Sequence, residues 1–204
     1  MITIVDYGVN NLRSVVRAFE AAGHEATQTS DPAVVRSAAR VVVPGVGNFS
    51  RARTLAETGL GDAIRSVAAA GRPVMGICLG MQLFFESSEE APGVAGLGLF
   101  GGAMKRFAGD LPVPHVGWAE VVPTASGRSH PLLRAFAAGP EYFYHVHSYH
   151  ATGIADDSVL AVAEYGAAFP AMIGRDNVVG AQFHPEKSQR AGIAVLDAFA
   201  RWDP

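Results

Sequence analysis

The sequence has a single cysteine, Cys78. No intramolecular disulfide and no cysteine-only zinc site can form, and the chain suits a reducing compartment. Lysine is almost missing: only Lys105 and Lys187 occur, the other basic residues being arginine. With 16 Lys and Arg against 19 Asp and Glu, the net charge of −3 supplies neither the basic field of a nucleic-acid binder nor a polybasic membrane patch. No apolar run approaches the ~20 residues of a membrane span. The first residues, Met1–Val5, reach Asp6 without a basic leader region. A cytoplasmic chain that binds neither nucleic acid nor membrane is expected. What is plentiful is apolar. The 49% of hydrophobic residues against 17% charged is enough for a packed core, and 204 residues suit one domain. No repeat, low-complexity tract or linker interrupts it, so 1–204 reads as a single domain.

The first ~85 residues alternate between strand and helix patterns. Ile2–Val5, His24–Thr29, Val41–Val43 and Pro73–Ile77 read as strands. Between the first two, Leu12, Val15, Val16, Phe19 and Ala22 recur at helical spacing, with Asn10 or Asn11 as cap and Gly23 past the end. Ala52–Ala70 reads as a helix broken near Thr58-Gly59. This rhythm implies right-handed crossovers and a parallel sheet with helices on both faces. The second half carries strand-like segments at Ala103–Phe107, Val116–Val122, Tyr142–Tyr149, Val159–Tyr165 and Val178–Phe183, spaced closely enough for antiparallel pairing. Ala191–Trp202 closes the chain as a helix, with Ser188 as its cap. The expected fold is three-layer α/β, with a mostly parallel central sheet and antiparallel additions.

The sharpest local signal is Gly76-Ile77-Cys78-Leu79-Gly80, between an apolar strand and the helix-opening Met81-Gln82-Leu83. This is the context of a nucleophile elbow with cysteine as the attacking residue; a buried structural cysteine is the alternative. A thiolate needs a base, and the base an orienting group. Among seven histidines, His184 follows a strand in Gln182-Phe183-His184-Pro185-Glu186. In extended chain Glu186 leaves the same face as His184, and Pro185 holds the segment out of a helix. A third element, Pro44-Gly45-Val46-Gly47, ends another strand, where glycine-flanked backbone can aim an N–H at a developing oxyanion. The N–H of Leu79 is the natural second donor. His145, His147 and His150 tempt a metal reading. However, His150 points to the opposite face of the strand from the other two, and no acid or thiol stands nearby, so no metal is expected. Tyr142, Phe143, Tyr144 and Tyr149 read as packing residues of a strand.

Together, Gly76–Gln82 and Gln182–Ser188 resemble the class I, triad-type glutamine amidotransferases. Asp6–Val15, Pro44–Phe49, Pro114-His115-Val116-Gly117-Trp118 and His147-Ser148-Tyr149 narrow the resemblance to the glutaminase subunits of imidazole glycerol phosphate synthase, over essentially the whole chain. The resemblance implies Cys78 as nucleophile, His184 as base and acid, and Glu186 as its orienter. It implies Gly47, Gln82, Glu90 and His147-Ser148-Tyr149 as holders of glutamine. Val46 or Gly47, with Leu79, would form the oxyanion hole. It also implies a heterodimer with a (β/α)8-barrel cyclase that consumes the ammonia, with Asn11, Trp118 and Tyr144 facing that partner, and no cofactor. A glutaminase subunit for another acceptor, a silent docking subunit and a thiol hydrolase of other substrates are the rival readings. Two positions depart from the family pattern: Asn10 stands where glycine is usual, and Ala119 where asparagine follows the tryptophan. Asparagine tolerates positive φ, so the turn at Asn10 is expected to hold.

Overall fold

The computed structural model describes residues 1–136 and 139–204. In chain order the first half runs β1 (Ile2–Val5), α1 (Leu12–Ala21), β2 (Ala26–Thr29), α2 (Pro32–Ser37), β3 (Val41–Val43), α3 (Ala52–Glu57), α4 (Leu60–Ala69), β4 (Val74–Ile77) and α5 (Leu79–Gln82). Then follow β5 (Ser87–Ser88), β6 (Ala103–Arg106), β7 (His115–Pro123), α6 (Ala125–Ser129), β8 (Glu141–His147), β9 (Tyr149–Thr152), β10 (Val159–Tyr165), β11 (Ala167–Arg175), β12 (Val178–Ala181) and α7 (Gln189–Arg201).

Nine strands form one sheet in the order β2-β1-β3-β4-β12-β11-β10-β7-β8. The run from β2 to β12 is parallel, and the remainder antiparallel. Strand β12 is the seam, parallel to β4 through Ala181 and Ile77 and antiparallel to β11. β1, β3, β4 and β12 are buried at every position. Strands covered on both faces have no polar side to keep, and their near-continuous apolar runs follow from that. One core joins α1 and α7 to one face through Val15, Phe19, Val195, Leu196 and Phe199; the other joins α3 and α4 to the opposite face through Leu55, Leu60, Ile64 and Val67. The expected three layers are present, with a small sheet β5-β6-β9 added. No helix among the described residues is long and apolar enough to cross a membrane.

Most expected elements occur within a residue or two of their predicted bounds, and the break at Thr58-Gly59 separates α3 from α4. Other expectations are corrected. The segment expected as one strand over Tyr142–Tyr149 divides at Ser148 into β8 and β9, which belong to different sheets. Strand β11 was not foreseen: Pro170 cannot donate to a ladder and argues against a central strand. The structure accommodates it opposite Val162, where the β10–β11 register is irregular. Helix α2 was also not foreseen, although its signals are in the sequence: Asp31 accepts from Ala33 N–H as N-cap and Pro32 opens the helix. The positive φ before α1 falls on Asn11 (79°), not Asn10, and neither Asn11 nor Ser188 caps its helix by side chain. Both are engaged at the site described next.

Candidate active site

The elbow forms because β4 ends at Ile77 and α5 begins at once. Cys78, between them, adopts φ 51°, ψ −109°. A non-glycine residue in this region costs about 1–3 kcal/mol and persists only where its surroundings over-determine it. Here Cys78 N–H donates to Ala181 O on β12, and Gln82 N–H donates to Cys78 O. Gly80 lets α5 lie against the end of β3: a Cβ there would stand 1.8 Å from Val43 O. With a single turn of helix, the macrodipole offers the sulfur little.

His184 arrives from the neighbouring strand end, one residue beyond Phe183, and is 1% exposed. Its Nδ1 lies 2.7 Å from Glu186 Oε1. The turn is tied down by Ser188, whose hydroxyl donates to His184 O and accepts from Tyr144 N–H. Burial alone would lower the His184 imidazole. The Cys78 sulfur beside it, and then the Glu186 carboxylate, overcome burial and raise it to about 10. An imidazolium facing a cysteine sulfur is the arrangement that can activate a cysteine as nucleophile.

Several supporting residues escaped sequence reasoning. Asn11, expected at a partner surface, donates from Nδ2 to Glu186 Oε1 at 2.6 Å, so both hydrogen bonds of that carboxylate converge on one oxygen. Gln182 is fully buried; its Nε2 lies 3.8 Å from Cys78 Sγ and its Oε1 accepts from Gln82 Nε2. Tyr7 donates to Pro44 O at 2.5 Å and fixes the start of the Gly45–Gly47 loop. Its phenol is pushed far above the ordinary value by burial and by the Cys78 charge. The sequence held a signal only for Gln182, two residues before the base and so on the same side of extended chain.

Cys78, His184, Val46, Gly47, Leu79, Gln82, Glu90, His147, Ser148 and Tyr149 all line one cavity of about 360 Å³, which Lys187 also enters. The N–H groups of Val46, Gly47 and Leu79 donate to no partner among the described residues. Glu90 Oε2 accepts from Phe49 N–H at 2.7 Å; burial raises its carboxyl and that hydrogen bond opposes the rise. Gln82 commits its amide N–H to Tyr149 O and Gln182. The His147 ring bonds to Tyr149 O and His145. Trp118 is 47% exposed, and its ring meets Tyr144 edge-on at 6.2 Å. The Lys187 ammonium lies 5.7 Å from the Tyr144 centroid.

Residues 3–201 match the family described as glutamine amidotransferase class-I. The imidazole glycerol phosphate synthase subunit HisH of Salinibacter ruber is 45% identical, covering 98% of this chain and 94% of its own. That of Symbiobacterium thermophilum is also 45% identical, covering 98% and 93%. Among solved structures, a glutamine amidotransferase superposes with TM-score 0.76 at 17% identity, over 98% of this chain and all of the other. The glutaminase domain of Trypanosoma brucei CTPS with bound acivicin gives 0.67 at 15%, over the whole chain and 94% of the other. An elbow cysteine, a histidine–carboxylate pair on the adjacent strand end and relatives matching end to end agree: the chain belongs to the class-I glutamine amidotransferases, among the HisH subunits of imidazole glycerol phosphate synthase.

Proposed function

We propose that this chain hydrolyses L-glutamine to glutamate and ammonia, and that it supplies the ammonia to a cyclase subunit forming imidazole glycerol phosphate and aminoimidazole carboxamide ribotide. The observation that carries this is the single cavity joining Cys78 and His184 to three uncommitted backbone N–H groups. The Cys78 thiolate attacks the carboxamide carbon. Leu79 N–H and that of Val46 or Gly47 hold the oxyanion. His184 gives its proton to the departing ammonia, then takes one from the water that cleaves the glutamyl thioester. Glu90 suits the substrate ammonium, and the backbone at Gly47, Ser148 and Tyr149 suits its carboxylate. These steps need no cofactor, and the chain works in the cytoplasm.

Glu186→Gln isolates the carboxylate charge. An amide oxygen at the Oε1 position keeps both hydrogen bonds, so geometry survives while the stabilisation of imidazolium falls. Wild-type turnover should decline as pH rises through about 10, where His184 loses the proton that ammonia needs. In Glu186→Gln that alkaline limb should move to lower pH, with a turnover loss of about 10²–10⁴-fold at neutrality. An unmoved limb in the pH–rate profile overturns the assignment.

The partner reading, a heterodimer with a (β/α)8 barrel, is supported by the outer face of β7 and β8. Val116 (57%), Trp118 (47%) and Tyr142 (55%) are exposed together there. Tyr144 links this face to Lys187 and so to the cavity. Partner binding then acts on the Gly45-Val46-Gly47 peptide. Gly47 sits at φ +117° in open space, whereas a Cβ on Gly45 would come within 2.7 Å of Leu79 Cβ, so rotation is free on one side and guided on the other. The deciding experiment is steady-state glutamine hydrolysis by the chain alone, with the cyclase, and with cyclase plus its substrate. A rise of about 10²–10³-fold on assembly is expected, matching one oxyanion donor. Trp118→Ala should reduce that rise while Cys78 stays alkylatable. Absence of glutamine hydrolysis in every mixture overturns the function; full activity of the isolated chain overturns the gating.

A further inference from the structure

We propose that His115, His145 and His147 form a binding site for one divalent transition-metal ion of the zinc type. Sequence spacing along β8 offered only two histidines on one face. The third comes from the next strand: β7 and β8 pair antiparallel with His115 opposite His147, and Gly117 opposite His145. All three side chains are at least 95% buried, and one ring nitrogen from each lies within 4.8 Å of the others. The ring centroids form a nearly equilateral triangle with sides of 5.1, 5.4 and 5.5 Å. Tetrahedral zinc with Zn–N of about 2.0–2.1 Å spaces its nitrogens about 3.3 Å apart and the ring centres about 5 Å apart. His145 Nδ1 and His147 Nε2 already stand 3.2 Å apart.

The surroundings match a metal site in two further respects. His147 Nδ1 donates to Tyr149 O at 2.9 Å, the outer hydrogen bond that fixes a ligating imidazole with its other nitrogen facing the ion. His115 Nδ1 is buried without any hydrogen-bond partner, so this ring has a nitrogen uncommitted to the protein. On loading, the one ring proton of His145 moves from Nδ1 to Nε2, and no net proton is released. His115 also lines a groove of about 490 Å³ along β7 and β10.

The test uses full-length Cys78→Ser protein, so that the catalytic thiol cannot hold the ion. Equilibrium dialysis against Zn²⁺ should show one saturable site per chain, and Co²⁺ should give the intense visible absorption of a tetrahedral site. His145→Phe, which places a ring among Phe169 and Phe183, and separately His115→Asn, should each weaken binding by more than about 100-fold, beyond the loss usual for an outer partner. X-ray absorption at the zinc edge needs no histidine variant and should count three imidazoles. No saturable binding, fewer than three imidazoles, or parent-like affinity in both variants overturns the site.

Discussion

Cys78→Ser is expected to lower glutamine hydrolysis about 10⁶-fold, the loss seen when the nucleophile of a triad is removed. Serine fills the same buried volume, 6% exposed in the parent, so thermal unfolding should barely change. What disappears is the sulfur. A serine hydroxyl stays protonated beside His184, and with it goes the leading cause that raises the imidazole to about 10. A histidine NMR titration should therefore find His184 shifted downward in the variant, a readout that a merely structural cysteine would not move. The cyclase, given ammonia directly, should still turn over in complex with this variant. Normal glutamine hydrolysis by Cys78→Ser would remove the nucleophile assignment.

The second large effect is expected from a methyl group. In Gly80→Ala the new Cβ would stand 1.8 Å from Val43 O and 2.7 Å from Val43 C. Both are backbone atoms of a fully buried strand paired on each side, so β3 cannot yield. Helix α5 must shift outward by more than 1 Å and carry Leu79 and Cys78 with it. Overpacking of this kind costs about 3 kcal/mol or more, or roughly 6–12 °C in Tm for a chain of this size. A displacement of 1 Å at the reacting group costs about 10²-fold in rate. Calorimetry and the glutaminase assay on the complex check both. Wild-type stability with wild-type turnover would show that α5 is not held against β3 as described.

Legibility in the sequence followed locality. The turn at Cys78 and the His184–Glu186 pairing were readable because an elbow and a two-residue alternation are local geometries with residue-type requirements. The parallel half of the sheet was readable because burial on both faces leaves unbroken apolar runs such as Ile2–Val5 and Val41–Val43. Illegible features needed partners distant in sequence. The hydrogen bond from Asn11 to Glu186 spans 175 positions, and at the sequence level Asn11 resembled a helix cap. His115 reaches His147 only through strand pairing, so reading one strand at a time could not bring these two rings together. Strand β11 was hidden by Pro170, a residue whose usual meaning is overridden by an irregular register.

The position of β12 in the sheet also bears on synthesis. Cys78 follows β4 directly, yet the strand that receives the Cys78 N–H and delivers His184 is inserted between β4 and β11 only at Val178–Ala181. At about 5–20 residues per second, the ribosome needs roughly 5–20 s to travel from one to the other. Throughout that interval the β2-β1-β3-β4 ribbon presents an apolar edge at β4 with no neighbour, a nascent chain exposed to aggregation and to chaperones. The same delay keeps Cys78 and His184 apart in every incomplete chain, since they meet only when the last strand closes the sheet.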